Sequence, residues 1–325
     1  MVSEPGLTDA AVASATLAFI DDHRGQLLLH SGALASPSGE VIVVHGESGS
    51  GKTTLTAALA ATGLAYLTDE TVCLDPLTLQ VEPFRKPLTV KPGSQQVLEQ
   101  LHPTADRIDS ASGNWQVDPA ALEELGAIGL PAADLFPTAI VFPDHDPEQQ
   151  GVELQPVTRA RAAFVLGEQS SALWAVEPRP LDALQRLVDA APAYRATYSS
   201  AFEAAQTIVS ELLLGTTGPR PPSIDGRSES DRASSPHRDP AARGGPVPKE
   251  GVDWLLLDGE AVLFDGTHLH HLDTPGAAVW QLLDGTRDES EVARELATRF
   301  DADPALVLLD VEDLVRVLRA RGLLT

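Results

Sequence analysis

The run Gly46-Glu47-Ser48-Gly49-Ser50-Gly51-Lys52-Thr53 spaces its glycines, lysine and hydroxyl as G-x-x-x-x-G-K-[ST]. An apolar strand pattern, Glu40–His45, precedes it, and an alanine-rich helix pattern follows. In that setting the glycines let successive backbone N–H groups turn toward one anion, and the positive end of the helix adds its dipole. Lys52 can bridge the β- and γ-phosphates of a nucleoside triphosphate, and Thr53 can offer its hydroxyl to Mg²⁺. The expected contact set for Mg²⁺ and ATP is therefore Gly46, Glu47, Ser48, Gly49, Ser50, Gly51, Lys52, Thr53 and Thr54. A glycine-rich turn matching by chance is the bland reading, and the strand before and helix after weigh against it.

Asp69-Glu70 closes the strand pattern that returns from that helix. Two carboxylates beside a bound metal permit a division of work: one holds the ion or its water, and the other takes a proton from an attacking hydroxyl or water. Thr53, Asp69 and Glu70 are thus the expected metal set, and Lys52, Asp69, Glu70 and His30 the expected catalytic set. A surface turn that happens to be acidic is the alternative. Arg85, Lys86 and Lys91 could supply positive charge to donor or acceptor, or be solvated loop charges. For His45, a hydrogen-bonded core role is the expectation, and Asp75 before Pro76 reads as a turn residue.

These residues need a frame. Gln26–Leu29, Glu40–His45, Leu64–Leu67 and Ala139–Phe142 read as buried strands. Lys52–Thr62, closed by Gly63, reads as a helix, as do Arg179–Ala190 and Tyr198–Leu214. Strand, loop, helix and strand in that order predict an α/β domain with its ligand at the carboxyl ends of strands. It would occupy residues 1–215. Residues 216–250 are rich in Pro, Gly, Ser and Arg and poor in large aliphatics, which predicts a flexible linker with a span of about 30 Å.

Residues 251–325 change register. Asp253–Leu257, Ala261–Phe264 and His268–Leu272 are separated by Asp258-Gly259 and Asp265-Gly266, two hairpin signals that predict a three-stranded sheet. Helices should follow at Thr274–Leu283, Glu289–Phe300 and Pro304–Arg321. His268, His270 and His271 cluster on the third strand, but adjacent strand positions face opposite sides, so at most His268 and His270 share a face. That argues against a metal site there.

Charge narrows the partners. The 325 residues carry 23 basic and 47 acidic side chains, a net charge of −24. Such a surface repels nucleic acid and anionic membranes. The C-terminal module alone holds 15 acidic against 6 basic residues, which excludes phosphate-backbone contacts although its winged-helix outline suggests DNA. There are four lysines, and three of them, Lys52, Lys86 and Lys91, fall near the glycine-rich loop. No stretch reaches the length of a membrane helix, no basic start marks a secretory signal, and the single cysteine, Cys73, excludes a disulfide framework and a cysteine-rich zinc site. A cytoplasmic protein is the expectation.

The order LLLHSGAL, VIVVHGESGSGKTTL, GLAYLTDETVCLD and VEPFRKPLTVK resembles the HPr kinase/phosphorylase superfamily and its HPr-kinase-related relatives, over about residues 15 to 214. The resemblance implies a phosphoenolpyruvate-carboxykinase-like P-loop fold, with His30 matching the histidine before the P-loop strand and Asp69 matching the catalytic base. Glu70 stands where the family has a second aspartate. The segment Phe142-Pro143-Asp144-His145-Asp146 lacks the arginine of true HPr kinases, and the HPr-binding C-terminal helix has no counterpart, so HPr is a poor substrate. Those kinases assemble as rings, which allows a homo-oligomer here. From Gly251 onward, DWLLLDGEAVLFDGTHLHHLDTPGAAVWQLLDG, DESEVARELATRF and VEDLVRVLRARGLL resemble the PqqD-like recognition element of peptide-modification systems. That resemblance implies a small α+β winged-helix domain that takes the leader of a ribosomally made precursor peptide as an added strand, here between His268–Leu272 and Leu306–Leu318.

Together these readings predict an ATP-dependent phosphotransferase that captures a precursor peptide and phosphorylates a hydroxyl on it. The alternative is a nucleotide-binding peptide chaperone or switch that transfers nothing, and a nucleic-acid regulator is third.

Overall fold

In a computed structural model, residues 5–95, 107–109, 113–124, 126–177, 179–213 and 245–325 are described. These residues divide into two compact units, 5–157 with 165–213 and 158–164 with 245–325.

In the first unit α1 (Pro5–Asp22) leads to β1 (Leu27–Leu29), β2 (Ser31–Ala35) and β3 (Glu40–His45), all buried along their length. Val41, Ile42, Val43 and Val44 have no exposure, as a strand covered on both faces requires. The glycine-rich loop follows, then α2 (Lys52–Ala60) and β4 (Ala65–Thr68). Gly63, with φ of +98°, ends the helix in the left-handed region that a side chain disfavours. β5 (Val72–Leu74) pairs with β1 on one side and β6 (Val81–Glu82) on the other in a small sheet, β1-β5-β6. A second small sheet, β7-β9-β8, combines β7 (Leu88–Val90), β8 (Arg107–Asp109) and β9 (Trp115–Val117). After α3 (Pro119–Glu124) come β10 (Phe136–His145), β11 (Val152–Val157), α4 (Arg159–Glu168), whose residues up to Phe164 group with the second unit, α5 (Pro180–Ala190), β12 (Ala193–Tyr198) and α6 (Ala201–Leu212).

The main sheet has the order β11-β12-β10-β3-β2-β4. β3 runs parallel to β10 and antiparallel to β2, and β2 runs antiparallel to β4. The carboxyl ends of β3 and β4 and the amino end of β2 therefore share one end of the sheet. Helix α2 lies so close to β2 that a Cβ on Gly32 would collide with Thr56 Oγ1. Leu55, Leu59, Ile42, Val44 and Tyr66 fill the core between helix and sheet.

Most expected elements are present within a residue or two, with three differences. Tyr198 was placed in the closing helix, but it ends β12, which pairs with both β10 and β11. Ser200 then accepts from Glu203 N and starts the helix at Ala201. Two strands, β2 and β12, carry no strong strand signature in sequence. The third difference is at the linker. Most of residues 216–250 lie outside the described residues, but 245–250 are part of the second unit. Thr325 N donates to Val247 O at 3.0 Å, and Lys249 N donates to Leu323 O at 2.9 Å. Gly245 packs where a Cβ would collide with the Arg287 carbonyl, which explains a glycine at that point.

The second unit is built from β13 (Asp253–Leu257), β14 (Glu260–Phe264) and β15 (Leu269–Leu272), then α7 (Thr274–Leu282), α8 (Glu289–Phe300) and α9 (Pro304–Ala320). The positive φ of Asp258 (54°) and Gly259 (83°) gives the two-residue turn that joins twisted strands. Asp273, Asp288 and Asp303 cap the three helices, Asp288 in a reciprocal capping box with Glu291. Trp254 meets Trp280 edge to face at 6.4 Å in the core. Among the described residues, no helix is long and apolar enough to cross a membrane.

Candidate functional site

At the shared end of the main sheet, the loop after β3, the start of β2 and the turn after β4 enclose a cleft of about 200 Å³. Its walls include His30, Lys52, Thr53, Asp69, Glu70 and Lys86. Sheet direction brings them together: Ser31 pairs with His45, and Ser31 N donates to Glu70 O at 3.1 Å.

The loop wraps tightly because Gly49 and Gly51 take φ of +91° and +96°. At Gly51 a Cβ would come within 3.0 Å of Tyr198 Oη, so close packing adds to the backbone constraint. Lys52 folds back and donates to the carbonyls of Gly46 and Glu47, the latter at 3.3 Å. Burial and then neighbouring Lys91 lower its pKa, against the pull of Asp69 and Glu47. Glu47, Ser48, Gly49, Gly51, Lys52 and Thr53 line the cleft. Gly46, Ser50 and Thr54 are not among its lining residues, and the Ser50 hydroxyl is buried against Gly46.

Asp69 is held firmly. Its Oδ1 accepts from Tyr66 Oη at 3.0 Å and Lys86 Nζ at 2.6 Å, and its Oδ2 accepts from Thr89 N at 3.1 Å. Glu70 is far more open, with 39% of its side chain exposed, and Lys86 Nζ is 3.1 Å from its Oε2. Lys86 is therefore no solvated loop charge. Burial would drive its ammonium to deprotonate, but Asp69, by charge and hydrogen bond, and then Glu70 reverse that and leave its pKa above the ordinary value. Lys91 stays exposed and donates to Ser48 Oγ at 3.1 Å, on the loop itself. Arg85 pairs with Glu123 at 3.2 Å and does not line the cleft.

His30 lines the cleft and is half-buried; burial, then Lys52, lower its pKa, against the pull of Glu70 and Asp69. His45 is fully buried. Its Nδ1 accepts from the Ser31 hydroxyl at 2.7 Å and its Nε2–H donates to Val165 O at 3.1 Å, the core role expected of it. Burial brings its pKa down to about 4. Asp75 accepts from Leu77 N and Thr78 N in a tight turn.

The cleft thus joins ammonium groups on the loop side to carboxylates opposite. Thr53, Asp69 and Glu70 offer oxygen donors of the kind a hard cation such as Mg²⁺ prefers. Sequence reading missed Tyr66 and Thr89 as partners of Asp69, and left Lys86 undecided. Tyr66 stands three residues before Asp69 on the same strand and turn, but Lys86 and Thr89 reach it by folding across 17 and 20 residues, which no local pattern encodes.

In the second unit, among the described residues, β15 pairs only with β14, so one edge of the sheet is open there. Asp265 N donates to His268 O, which fixes the alternation along the hairpin. His270 therefore sits in a hydrogen-bonded pair with Leu263, while Leu269 and His271 turn their backbone N–H and C=O toward the open edge. The His271 side chain is 2.7 Å from Glu260, and His270 is 3.2 Å from Asp265, so two of the three histidines are committed to acids within the sheet. On α9, Leu306, Leu309 and Val317 are exposed at 63%, 59% and 43% along one helical stripe.

The family model for "Coenzyme PQQ synthesis protein D (PqqD)" matches residues 254–324. A "PqqA binding protein" of Xanthomonas oryzae pv. oryzae (strain PXO99A) is 39% identical over 71 residues, covering 22% of this chain and 70% of that protein. The protein of that name from Xanthomonas campestris pv. campestris (strain B100) is 38% identical over the same length. A solved structure, "TbiB1 in Complex with the TbiA(beta) Leader Peptide", is 25% identical over 24% of this chain and 92% of that chain, with a TM-score of 0.23.

Proposed function

The chain belongs to the PqqD family through residues 254–324, and from that premise we propose that it is a kinase that captures a precursor peptide and phosphorylates a hydroxyl on it with Mg-ATP. Relatives named for binding PqqA support a peptide as partner. The peptide adds as a strand to the open edge of β15, beside the apolar stripe of α9, with backbone hydrogen bonds giving affinity and side-chain pockets giving selection.

One observation carries the phosphotransfer reading: loop amides, Lys52, Thr53 and two carboxylates meet on a single cleft of about 200 Å³. The loop amides and Lys52 bind the phosphates. Thr53, Asp69 and Glu70 would hold Mg²⁺, which when bound neutralises charge on the phosphates. Three donors already occupy Asp69, so the one lone-pair site left on it would serve the cation and not a substrate proton. Glu70, more exposed and, among the described residues, paired with Lys86, is the better placed carboxylate to accept that proton. His30, on the wall of the same cleft, orients the acceptor.

The same occupation of Asp69 favours a second reading, in which the chain is a nucleotide-responsive peptide switch without transfer. Mass spectrometry of a precursor peptide that the chain binds, after incubation with Mg-ATP, separates the two. A phosphate-mass gain that is lost in Glu70→Gln and Asp69→Asn supports the kinase. Unmodified peptide with retained binding of peptide and nucleotide supports the switch, and no nucleotide binding overturns both.

A further inference from the structure

We propose that His23, Cys73 and Glu82 form a binding site for a thiophilic divalent cation of the zinc class, apart from the cleft and independent of the kinase reading. Cys73 in β5 and Glu82 in β6 are direct cross-strand partners, so their side chains leave the same face of the small sheet. His23, just beyond the end of α1, closes over that face. One donor atom from each residue lies within 4.8 Å of the other two, the compactness that a single ion needs. Among the described residues no other group of three such side chains comes together in this way.

The imidazole is the informative member. Its Nδ1 is 2.7 Å from the Phe19 carbonyl, and its Nε2 is 3.1 Å from Glu82 Oε1. Both ring nitrogens thus face oxygen acceptors, and a neutral ring has one N–H to give. The Phe19 carbonyl takes it. That arrangement, Nδ1–H to a backbone carbonyl with Nε2 left as a lone pair, is how metal-bound histidines are held. The remaining approach of Nε2 to the Glu82 carboxylate is met either by a proton on Nε2 or by a cation that both atoms share. Phe19 stacks on the ring at 4.0 Å and on Phe84 at 4.2 Å, which fixes its orientation.

The donors also select the ion. Thiolate, imidazole and carboxylate together suit Zn²⁺, whereas Mg²⁺ and Ca²⁺ prefer oxygen alone. Three protein ligands leave a fourth position for water. Glu82, with 60% of its side chain exposed, opens the site to solvent, while Cys73 lies buried beneath it. None of these residues lines the cleft.

The test uses the full chain without a polyhistidine tag, titrated with Co²⁺ as a spectroscopic stand-in and then with Zn²⁺. Because Cys73 is the single cysteine, any thiolate-to-cobalt band must arise there. The expected result is a band that saturates at one equivalent, is displaced by Zn²⁺, and disappears in Cys73→Ala. In His23→Gln and Glu82→Gln, changes at partly exposed positions that spare the core, affinity should fall at least tenfold. No saturable band in the native chain overturns the site, and so does a band whose affinity is unchanged in both variants. In the first case the trio is an imidazolium–carboxylate pair over a buried thiol.

Discussion

Lys86 Nζ lies 2.6 Å from Asp69 Oδ1, with only 3% and 4% of the two side chains exposed. Each charge is tolerable in the interior because of the other. The pair positions one wall of the cleft, since the same ammonium also reaches Glu70.

Removing one partner should therefore be costly. Lys86→Met leaves a buried carboxylate without its cation, and stability should fall by about 3 kcal/mol in urea denaturation. Adding Asp69→Asn to Lys86→Met should recover part of that loss, because the stranded charge is gone. Equal instability of the single and double variants would sink the idea.

The loop glycines make a second prediction. Gly51→Ala forces a side chain into the left-handed region and against Tyr198 Oη, whereas Gly49→Ala meets the backbone constraint in open space. Each should lose roughly 1–2 kcal/mol of stability, Gly51→Ala the more. Calorimetric titration with Mg-ATP should show at least tenfold weaker uptake by Gly51→Ala.

His45 predicts a pH dependence. Its folded pKa, about 4, lies below the ordinary 6.5, so the unfolded chain binds the proton first. The contribution is complete above pH 6.5 and is lost as pH falls toward 4. The loss amounts to about 3 kcal/mol over that window. Denaturation series across it should be steeper for the native chain than for His45→Gln; parallel curves would count against a buried neutral ring.

The open sheet edge gives a fourth. His271 directs its backbone N–H outward, so His271→Pro removes a donor for an added strand without breaking the ladder to β14. Binding of a labelled precursor peptide that the native chain takes up should weaken at least tenfold, read by fluorescence anisotropy. Circular dichroism of the variant should remain that of the native chain. Unchanged affinity would place the peptide elsewhere.

Much of this architecture is local in origin. In the second unit the turn residues Asp258-Gly259, the capping aspartates and the first-turn prolines act within a few residues, so its three strands and three helices were legible in sequence. The glycine-rich loop was legible for the same reason: its spacing is its geometry. Strands β2 and β12 were not. Ser31–Ala35 is small and weakly apolar, and Ala193–Tyr198 alternates with a charged residue. Each becomes a strand because its neighbours in the sheet complete its hydrogen bonds.

The sequence by itself determined which segments turn, cap and bury, and that Lys52 and Thr53 stand at a helix start, because those properties depend on residues a few positions apart. Only the tertiary structure decided that β2 runs between β3 and β4, that His30, Lys52 and Glu70 therefore share one end of a sheet, and that Lys86 is bound to Asp69. Strand order and buried ion pairs arise from contacts between distant residues, whose energies depend on exclusion of water by the whole fold.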